Sequence, residues 1–187
     1  MPDAGVLRMD ESMKSMKLKN EIEIALFAVL LAIFSWTTIP FAVPFTLQTF
    51  GVYVALMMLG GKRGTIAIAL YILLGAVGVP VFSGFNSGIG ALLGPTGGYI
   101  FGFLVTGLVY ILMEKRTFRF RAPVSLVIGT LLCYAFGTIW FVIVYSQKTG
   151  PISVWTALLK CVIPFILPDA AKLVLADMVS RRVKKLL

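Results

Sequence analysis

Histidine is absent from this sequence, and ionisable side chains of every kind are scarce. Only 13% of the 187 residues are charged, whereas about 25% is usual for a soluble domain. Without histidine the chain lacks the usual proton shuttle and the commonest metal ligand of proteins. We therefore expect no catalytic residue and no metal site.

Cysteine is nearly absent as well. Cys133 and Cys161 match no metal or redox spacing. The topology predicted below places them at different depths, and a disulfide requires the two Cα atoms to lie close together. We expect both cysteines to serve in packing.

Two sequence patterns come near to enzyme motifs without completing them. The run 60–63, G-G-K-R, lacks the first glycine and the Ser or Thr of a phosphate-binding loop. The run 84–88, G-F-N-S-G, misses the spacing of a nucleophile elbow, and a serine hydrolase without histidine would need a lysine base. These runs indicate neither an ATPase nor a hydrolase.

Apolar residues dominate the chain. They make up 59% of the sequence, against roughly 45–50% in soluble domains, and the mean hydropathy is +0.96. This composition indicates an integral membrane protein. The apolar stretches predict an all-α fold with six transmembrane helices over 22–39, 48–60, 65–79, 99–113, 124–145 and 168–187.

The boundary before the last span follows from length. A single helix over 152–187 would be about 54 Å long, nearly twice the roughly 30 Å of a bilayer core. Pro164 and Pro168 supply a break, and a proline followed by an aspartate is a helix-start signal. The sixth span is therefore predicted to begin at Pro168, after a short outer-surface helix over 154–163.

The basic residues predict the orientation. Most of them fall on one side of the predicted spans, whereas Lys148 and Lys160 fall on the other. By the positive-inside rule, both termini face the cytoplasm. This placement accounts for the net charge of +9 without a nucleic-acid partner. We expect residues 1–19 to form a flexible, unfolded cytoplasmic tail, and residues 20–187 to form the membrane domain.

A glycine-rich stretch over 81–99 is the first candidate for a ligand site. It contains one proline, has no charge and lies between two apolar runs. Glycine lets a ligand approach the backbone closely, and irregular backbone at membrane depth persists only where it is buried or lines a cavity. The stretch is predicted to be an ordered cap on the outer side, although a flexible external connector is the plainer alternative.

A pair of opposite charges in the last span is the second candidate. Asp169 and Lys172 are three residues apart, so they share a helix face and can pair. Charges within a membrane span usually mark a functional site. The alternative is an ion pair that only lowers its own cost of insertion.

Neutral polar side chains are expected to join the charged pair. Thr46, Gln48 and Asn86 supply donors and acceptors that suit an amide- or urea-like ligand, and Lys172 suits a carboxylate. Phe85 and Tyr99 are expected to line the same pocket.

Three separated motifs resemble one family. The segments 45–49 (F-T-L-Q-T), 94–99 (G-P-T-G-G-Y) and 168–172 (P-D-A-A-K) resemble, in this order, those of the BioY family, the biotin-binding S components of energy-coupling factor (ECF) vitamin transporters. The likeness extends over roughly 21–185. One departure is that Leu167-Pro168-Asp169 stands where the family usually has Pro-Gly-Asp.

The resemblance implies a function and a set of site residues. It implies a subunit in a prokaryotic cell membrane that captures biotin from outside and works with a membrane T component and two cytoplasmic ATPases, with no cofactor. The implied partner-binding residues are Ala25, Ala28 and Ala32. The implied and inferred ligand residues are Thr46, Gln48, Phe85, Asn86, Gly94, Thr96, Gly97, Tyr99, Asp169 and Lys172.

Two alternatives stay open on the sequence. An S component for another vitamin would keep the fold and change only the pocket. A small membrane enzyme or an assembly protein would bind no vitamin tightly.

Overall fold

The computed structural model describes residues 4–40, 43–117 and 120–186, and its long elements are all helices. A two-stranded antiparallel ribbon, β1 with β2, joins the first two helices and pairs Thr38 with Thr46. A short 3₁₀ turn, Ser83–Phe85, precedes α4. The elements in chain order are α1 (Ala4–Trp36), β1 (Thr38–Ile39), β2 (Phe45–Thr46), α2 (Gln48–Leu59), α3 (Gly61–Ala76), α4 (Gly88–Leu92), α5 (Gly97–Glu114), α6 (Arg121–Lys148), α7 (Val154–Cys161) and α8 (Ile163–Lys184).

The N-terminal segment differs from the expectation. Helix α1 begins at Ala4, so the prediction that residues 4–19 are unfolded is wrong for this structure. Residues 6–36 contain neither glycine nor proline, and Met, Leu, Lys and Glu are strong helix formers. The helix of the first span therefore extends toward the N-terminus beyond the apolar run.

The start of α3 is fixed by a residue from another helix. Gly60, with φ of +82°, separates α2 from α3, and the backbone N–H of Gly61 donates to Oε2 of Glu114 at 3.0 Å. A carboxylate at a helix N-terminus satisfies a free N–H and is favoured by the helix dipole. Lys62 and Arg63 consequently belong to α3, which begins before the predicted Thr65.

The prediction that the last span begins at Pro168 is wrong. Helix α8 begins at Ile163, after Val162 with φ of −125° and ψ of −56° separates it from α7. Pro164 occupies the first turn, where a missing N–H costs nothing, and Pro168 lies inside the helix. Asp169 therefore lies beyond the first turn, and the dipole of the helix N-terminus does not explain its charge.

Helices α5 and α6 pack at close range through small residues. A Cβ on Gly98 would lie 2.3 Å from Cβ of Trp140, and a Cβ on Gly102 would lie 2.5 Å from Sγ of Cys133. The small-xxx-small spacing of these glycines predicts such an approach, and the structure confirms it.

The outer surface of the bundle is apolar. Large hydrophobic side chains such as Leu108, Leu131, Ile139 and Leu175 are exposed. Within the described residues, Gly97–Glu114 and Arg121–Lys148 are long and apolar enough to cross a membrane, and Gln48–Leu59 is a shorter apolar helix.

Candidate functional site

A cavity of about 540 Å³ lies where the N-terminal ends of α2, α5 and α8 meet the glycine-rich stretch and the middle of α6. A cavity of this size is within the range of small-molecule sites. Most of the predicted ligand residues line it: Thr46, Gln48, Asn86, Gly94, Thr96, Tyr99, Asp169 and Lys172.

Two predicted ligand residues do not line this cavity. Phe85 is 62% exposed, and its ring stacks on Trp36 at 5.1 Å between centroids. Gly97 is buried, and a Cβ there would lie 1.7 Å from the backbone oxygen of Leu92. Phe85 thus packs on the outside of the stretch, and Gly97 permits the contact between α4 and the start of α5.

The charged pair forms one wall of the cavity. Nζ of Lys172 donates to Oδ1 of Asp169 at 2.8 Å, and both side chains are almost fully buried. Lys172 also donates to the backbone oxygen of Thr46 at 2.7 Å and to Oγ1 of Thr49 at 3.0 Å. The ring of Phe45 lies 4.3 Å from Nζ. The ammonium group is therefore held by β2, α2 and its own helix.

Asp169 is held just as firmly. Thr49 donates from its hydroxyl to Oδ1 at 2.8 Å, and Tyr134 donates from its hydroxyl to Oδ2 at 2.6 Å. Charge-assisted hydrogen bonds of this kind are short and strong. The two charges cancel, and because all three N–H donors of Lys172 are bonded within the protein, the pair offers a ligand the acceptor oxygens of Asp169.

A second polar group lies beside the pair. Oγ1 of Thr46 donates to Oε1 of Gln48 at 3.1 Å, and Nε2 of Gln48 donates to the hydroxyl of Tyr71. Thr46 and Gln48 are each only 7% exposed. Their side chains are fixed in place by buried partners before any ligand binds.

The glycine-rich stretch is folded over the cavity. Nδ2 of Asn86 donates to the backbone oxygen of Ser83 at 2.8 Å, and the backbone of Asn86 pairs with that of Phe82. Gly84 and Gly88 have φ of +68° and +81°, which glycine adopts without strain. Nε1 of Trp140 donates to the backbone oxygen of Gly94 at 2.9 Å. These bonds make the stretch a structured cap, as predicted, and not an extended connector.

Sequence reasoning missed several lining residues. Thr49 stands in the F-T-L-Q-T motif, and its place next to Gln48 is the signal that could have found it. Tyr134 lies in the middle of an apolar helix, where no local pattern marks it. The cavity is also lined by Val43, Phe82, Phe103, Cys133, Cys161 and Phe165.

The two cysteines are buried free thiols. Both line the cavity described above, in addition to the packing role that was expected of them. Cys161 is the last residue of α7, the short helix outside the predicted spans. Burial raises the pKa of its thiol to about 11. The thiol is therefore neutral at pH 7.

The predicted partner-binding residues are not on a common surface. Ala28 and Ala32 are 1% and 5% exposed and belong to the central core, whereas Ala25 is exposed. Helix α1 turns its Ala28 and Ala32 side toward the other helices of the chain. In this conformation Ala28 and Ala32 pack within the chain, and a docking role for them stays a prediction.

Comparison with known proteins gives concordant matches. A sequence model of the BioY family matches residues 9–187. The biotin transporter BioY of Thermotoga maritima is 39% identical over 171 residues, which cover 90% of this chain and 98% of that protein. The biotin transporter BioY of Rhodobacter capsulatus is 34% identical over 177 residues, which cover 88% of this chain and 93% of that protein.

A solved structure matches as well. The crystal structure of the S-component for biotin from an ECF-type ABC transporter superposes with a TM-score of 0.79 at 28% identity. The match covers 91% of this chain and 93% of that one. The helical arrangement described above is therefore that of a known S-component.

Proposed function

This chain belongs to the BioY family, and on that premise we propose that it is the biotin-binding S component of an ECF-type importer. It is a substrate-binding transport subunit and not an enzyme. The observation that carries the proposal is the buried Asp169–Lys172 pair in the wall of a cavity of about 540 Å³. Two buried charges facing a cavity of ligand size are typical of a binding site.

The neutrality of the Asp169–Lys172 pair favours contact with the ureido head of biotin over contact with its carboxylate tail. A net cation would suit the carboxylate of the biotin tail, but Lys172 is already neutralised by Asp169 at 2.8 Å. The ureido head of biotin is an uncharged cyclic urea that offers N–H donors and a carbonyl acceptor. The carboxylate of Asp169 can accept from a ureido N–H, whereas the three N–H donors of Lys172 are already bonded within the protein.

The cap is proposed to complete the recognition of the ligand. Asn86 is one of the polar side chains of the cap that line the cavity, with Ser83, Ser87 and Thr96, and its amide can bond the ring head of biotin. The aromatic rings of Tyr99, Phe103 and Phe165 on the same cavity supply apolar surface for the rest of the molecule. Biotin is the transported ligand and not a cofactor.

The membrane arrangement is part of the proposal. Six helices, α1, α2, α3, α5, α6 and α8, cross the cell membrane of a prokaryote, and α7 lies on the outer surface. The cavity lies at one end of the bundle, and the basic residues near Gly61, Glu114 and Lys184 lie at the other ends of the same helices. The positive-inside rule then places the cavity outside and both termini in the cytoplasm.

The remaining partners are inferred from the type of transporter. A membrane T component and two cytoplasmic ATPases would energise release of biotin to the inside. This chain carries no phosphate-binding loop of its own, so ATP hydrolysis must come from other subunits. Of the three alanines considered for docking, Ala25 alone has an exposed position on α1.

The test is ligand binding by the purified protein. Mass spectrometry of the ligand that co-purifies, followed by titration with biotin, riboflavin and pantothenate, separates a biotin subunit from one for another vitamin. Tight binding of biotin alone supports the proposal. Protein that is folded but binds none of the three contradicts it.

The orientation of biotin has its own test. Lys172→Met should weaken binding of biotin and of uncharged biotin methyl ester by the same factor if the pair holds the ureido head. A loss confined to biotin would place the carboxylate on Lys172 instead.

A further inference from the structure

A second pocket lies at the opposite end of the bundle from the biotin cavity. It has a volume of about 220 Å³ and lies between the C-terminal halves of α2, α5 and α8 and the start of α6. The side chains that matter for its chemistry are those of Tyr110, Arg121, Ser180, Arg181 and Lys184.

Ser180 lines this pocket as a buried hydroxyl. Its side chain is 3% exposed, and its Oγ has no hydrogen-bond partner among the described residues. A helical serine usually bonds the carbonyl one turn earlier, and a buried hydroxyl without a partner is costly and rare. A hydroxyl held in this state next to a pocket calls for an external acceptor.

The pocket offers more space than a single water needs. A buried water needs only about 10–15 Å³ of such space, and the pocket is more than ten times larger. A polyatomic group with several acceptor oxygens fits the space and can reach Ser180.

The charge of the pocket selects an anion. Arg121, Arg181 and Lys184 face one acid, Asp177, which pairs with Nε of Arg181 at 2.8 Å. Three positive groups against one negative group leave a net charge of +2. Arg121 also donates from Nη1 to the backbone oxygen of Glu114 at 2.8 Å, which fixes its guanidinium at the rim.

We propose that this pocket binds a phosphate group, with Ser180 donating to a phosphate oxygen and with Arg121 and Lys184 neutralising its charge. Basic pockets between transmembrane helices on the cytoplasmic side are suited to anionic lipid headgroups. The phosphate is supplied either by an anionic phospholipid of the inner leaflet or by a free phosphate ester. This site is separate from the biotin cavity and does not depend on biotin as the ligand.

The experiment measures phosphate binding by the full chain. Purified protein in neutral detergent is titrated with phosphatidylglycerol, with phosphatidylcholine and with inorganic phosphate, and bound lipid is counted by native mass spectrometry. The rise in unfolding temperature is recorded in parallel. The variants are Ser180→Ala and Lys184→Gln, and Lys185→Gln is the matched control because Lys185 is the next residue and does not line the pocket.

The expected result is preferential binding of phosphatidylglycerol over phosphatidylcholine. Lys184→Gln should weaken this binding roughly fivefold, the effect of one basic residue near a membrane surface, and Lys185→Gln should not. Ser180→Ala keeps the charge and should also weaken binding. Equal protection by inorganic phosphate would identify a free phosphate as the source and support the same site.

Two results would overturn the proposal. One is equal binding of phosphatidylglycerol and phosphatidylcholine together with no effect of inorganic phosphate. The other is an equal loss in Lys184→Gln and Lys185→Gln with none in Ser180→Ala, since this would indicate general surface charge and not a pocket.

Discussion

The hydroxyl of Tyr134 on α6 lies 2.6 Å from Oδ2 of Asp169 on α8. This hydrogen bond joins the two helices at the wall of the cavity of about 540 Å³. It also completes the set of donors around the buried carboxylate, whose other oxygen is bonded by Thr49 and Lys172.

Tyr134→Phe should therefore weaken both the fold and the site. The change removes one hydrogen bond to a charged acceptor, worth about 1.5–3 kcal/mol, without opening a cavity. Thermal unfolding and biotin titration of the purified variant measure the two effects. Tyr145→Phe, on the same helix but outside the cavity, is the control. Equal behaviour of the two variants would contradict a special role for Tyr134.

Asp169 and Lys172 should behave as a coupled pair. Removing one partner leaves the other charge buried and unpaired, at a cost of about 3–5 kcal/mol. Removing both leaves no unpaired charge, so this cost does not arise in the double variant. Asp169→Asn and Lys172→Met should therefore cost more in sum than the double variant does. A double-mutant cycle on biotin affinity and on stability measures this coupling. Strictly additive losses would show that the pair is not a unit.

Asn86→Leu should reduce biotin affinity while the protein stays folded. A lost hydrogen bond in a desolvated site costs about 1–3 kcal/mol, or roughly ten- to a hundredfold in affinity. Part of this loss can come from the cap itself, because Asn86 also donates to Ser83. The unfolding temperature of the same variant measures that loss in the cap separately from the loss of ligand affinity. Parent-like affinity of a folded Asn86→Leu protein would remove Asn86 from the site.

Two glycines of the cap should differ sharply in their tolerance of alanine. Gly97→Ala would place a Cβ 1.7 Å from the backbone oxygen of Leu92, whereas a Cβ on Gly90 meets nothing within 4 Å. Overpacking of a tight contact costs about 1–3 kcal/mol, so Gly97→Ala should lower the unfolding temperature. Gly90→Ala, inside α4, should leave it unchanged or raise it slightly. The same unfolding temperature for both variants would refute the close contact.

The alanines of α1 should separate in the same way. Ala28 is buried in the core, so Ala28→Trp should destabilise the protein by about 3 kcal/mol or more through overpacking. Ala25→Trp should leave stability within about 0.5 kcal/mol, because its position is exposed. Thermal unfolding in detergent measures both. A stable, biotin-binding Ala28→Trp protein would contradict the tight packing of Ala28 in the core.

Sequence alone determined the features that depend on neighbours along the chain. The apolar composition indicated the membrane class, and prolines, glycines and charges marked most helix ends to within a few residues. The i, i+3 spacing predicted that Asp169 and Lys172 can pair, because two such side chains meet on one helix face whatever the rest of the fold. The three motifs carried the family resemblance.

Tertiary structure decided which side of each helix faces inward. A helix in a membrane protein is apolar toward lipid as well as toward the core, so hydrophobic periodicity does not tell the two sides apart. The burial of Ala28, the reach of Tyr134 to Asp169 and the unpartnered hydroxyl of Ser180 all depend on helix rotation. The start of α8 also depends on the surroundings of Pro168, since a proline can be accommodated within a membrane helix when neighbouring groups satisfy the freed backbone.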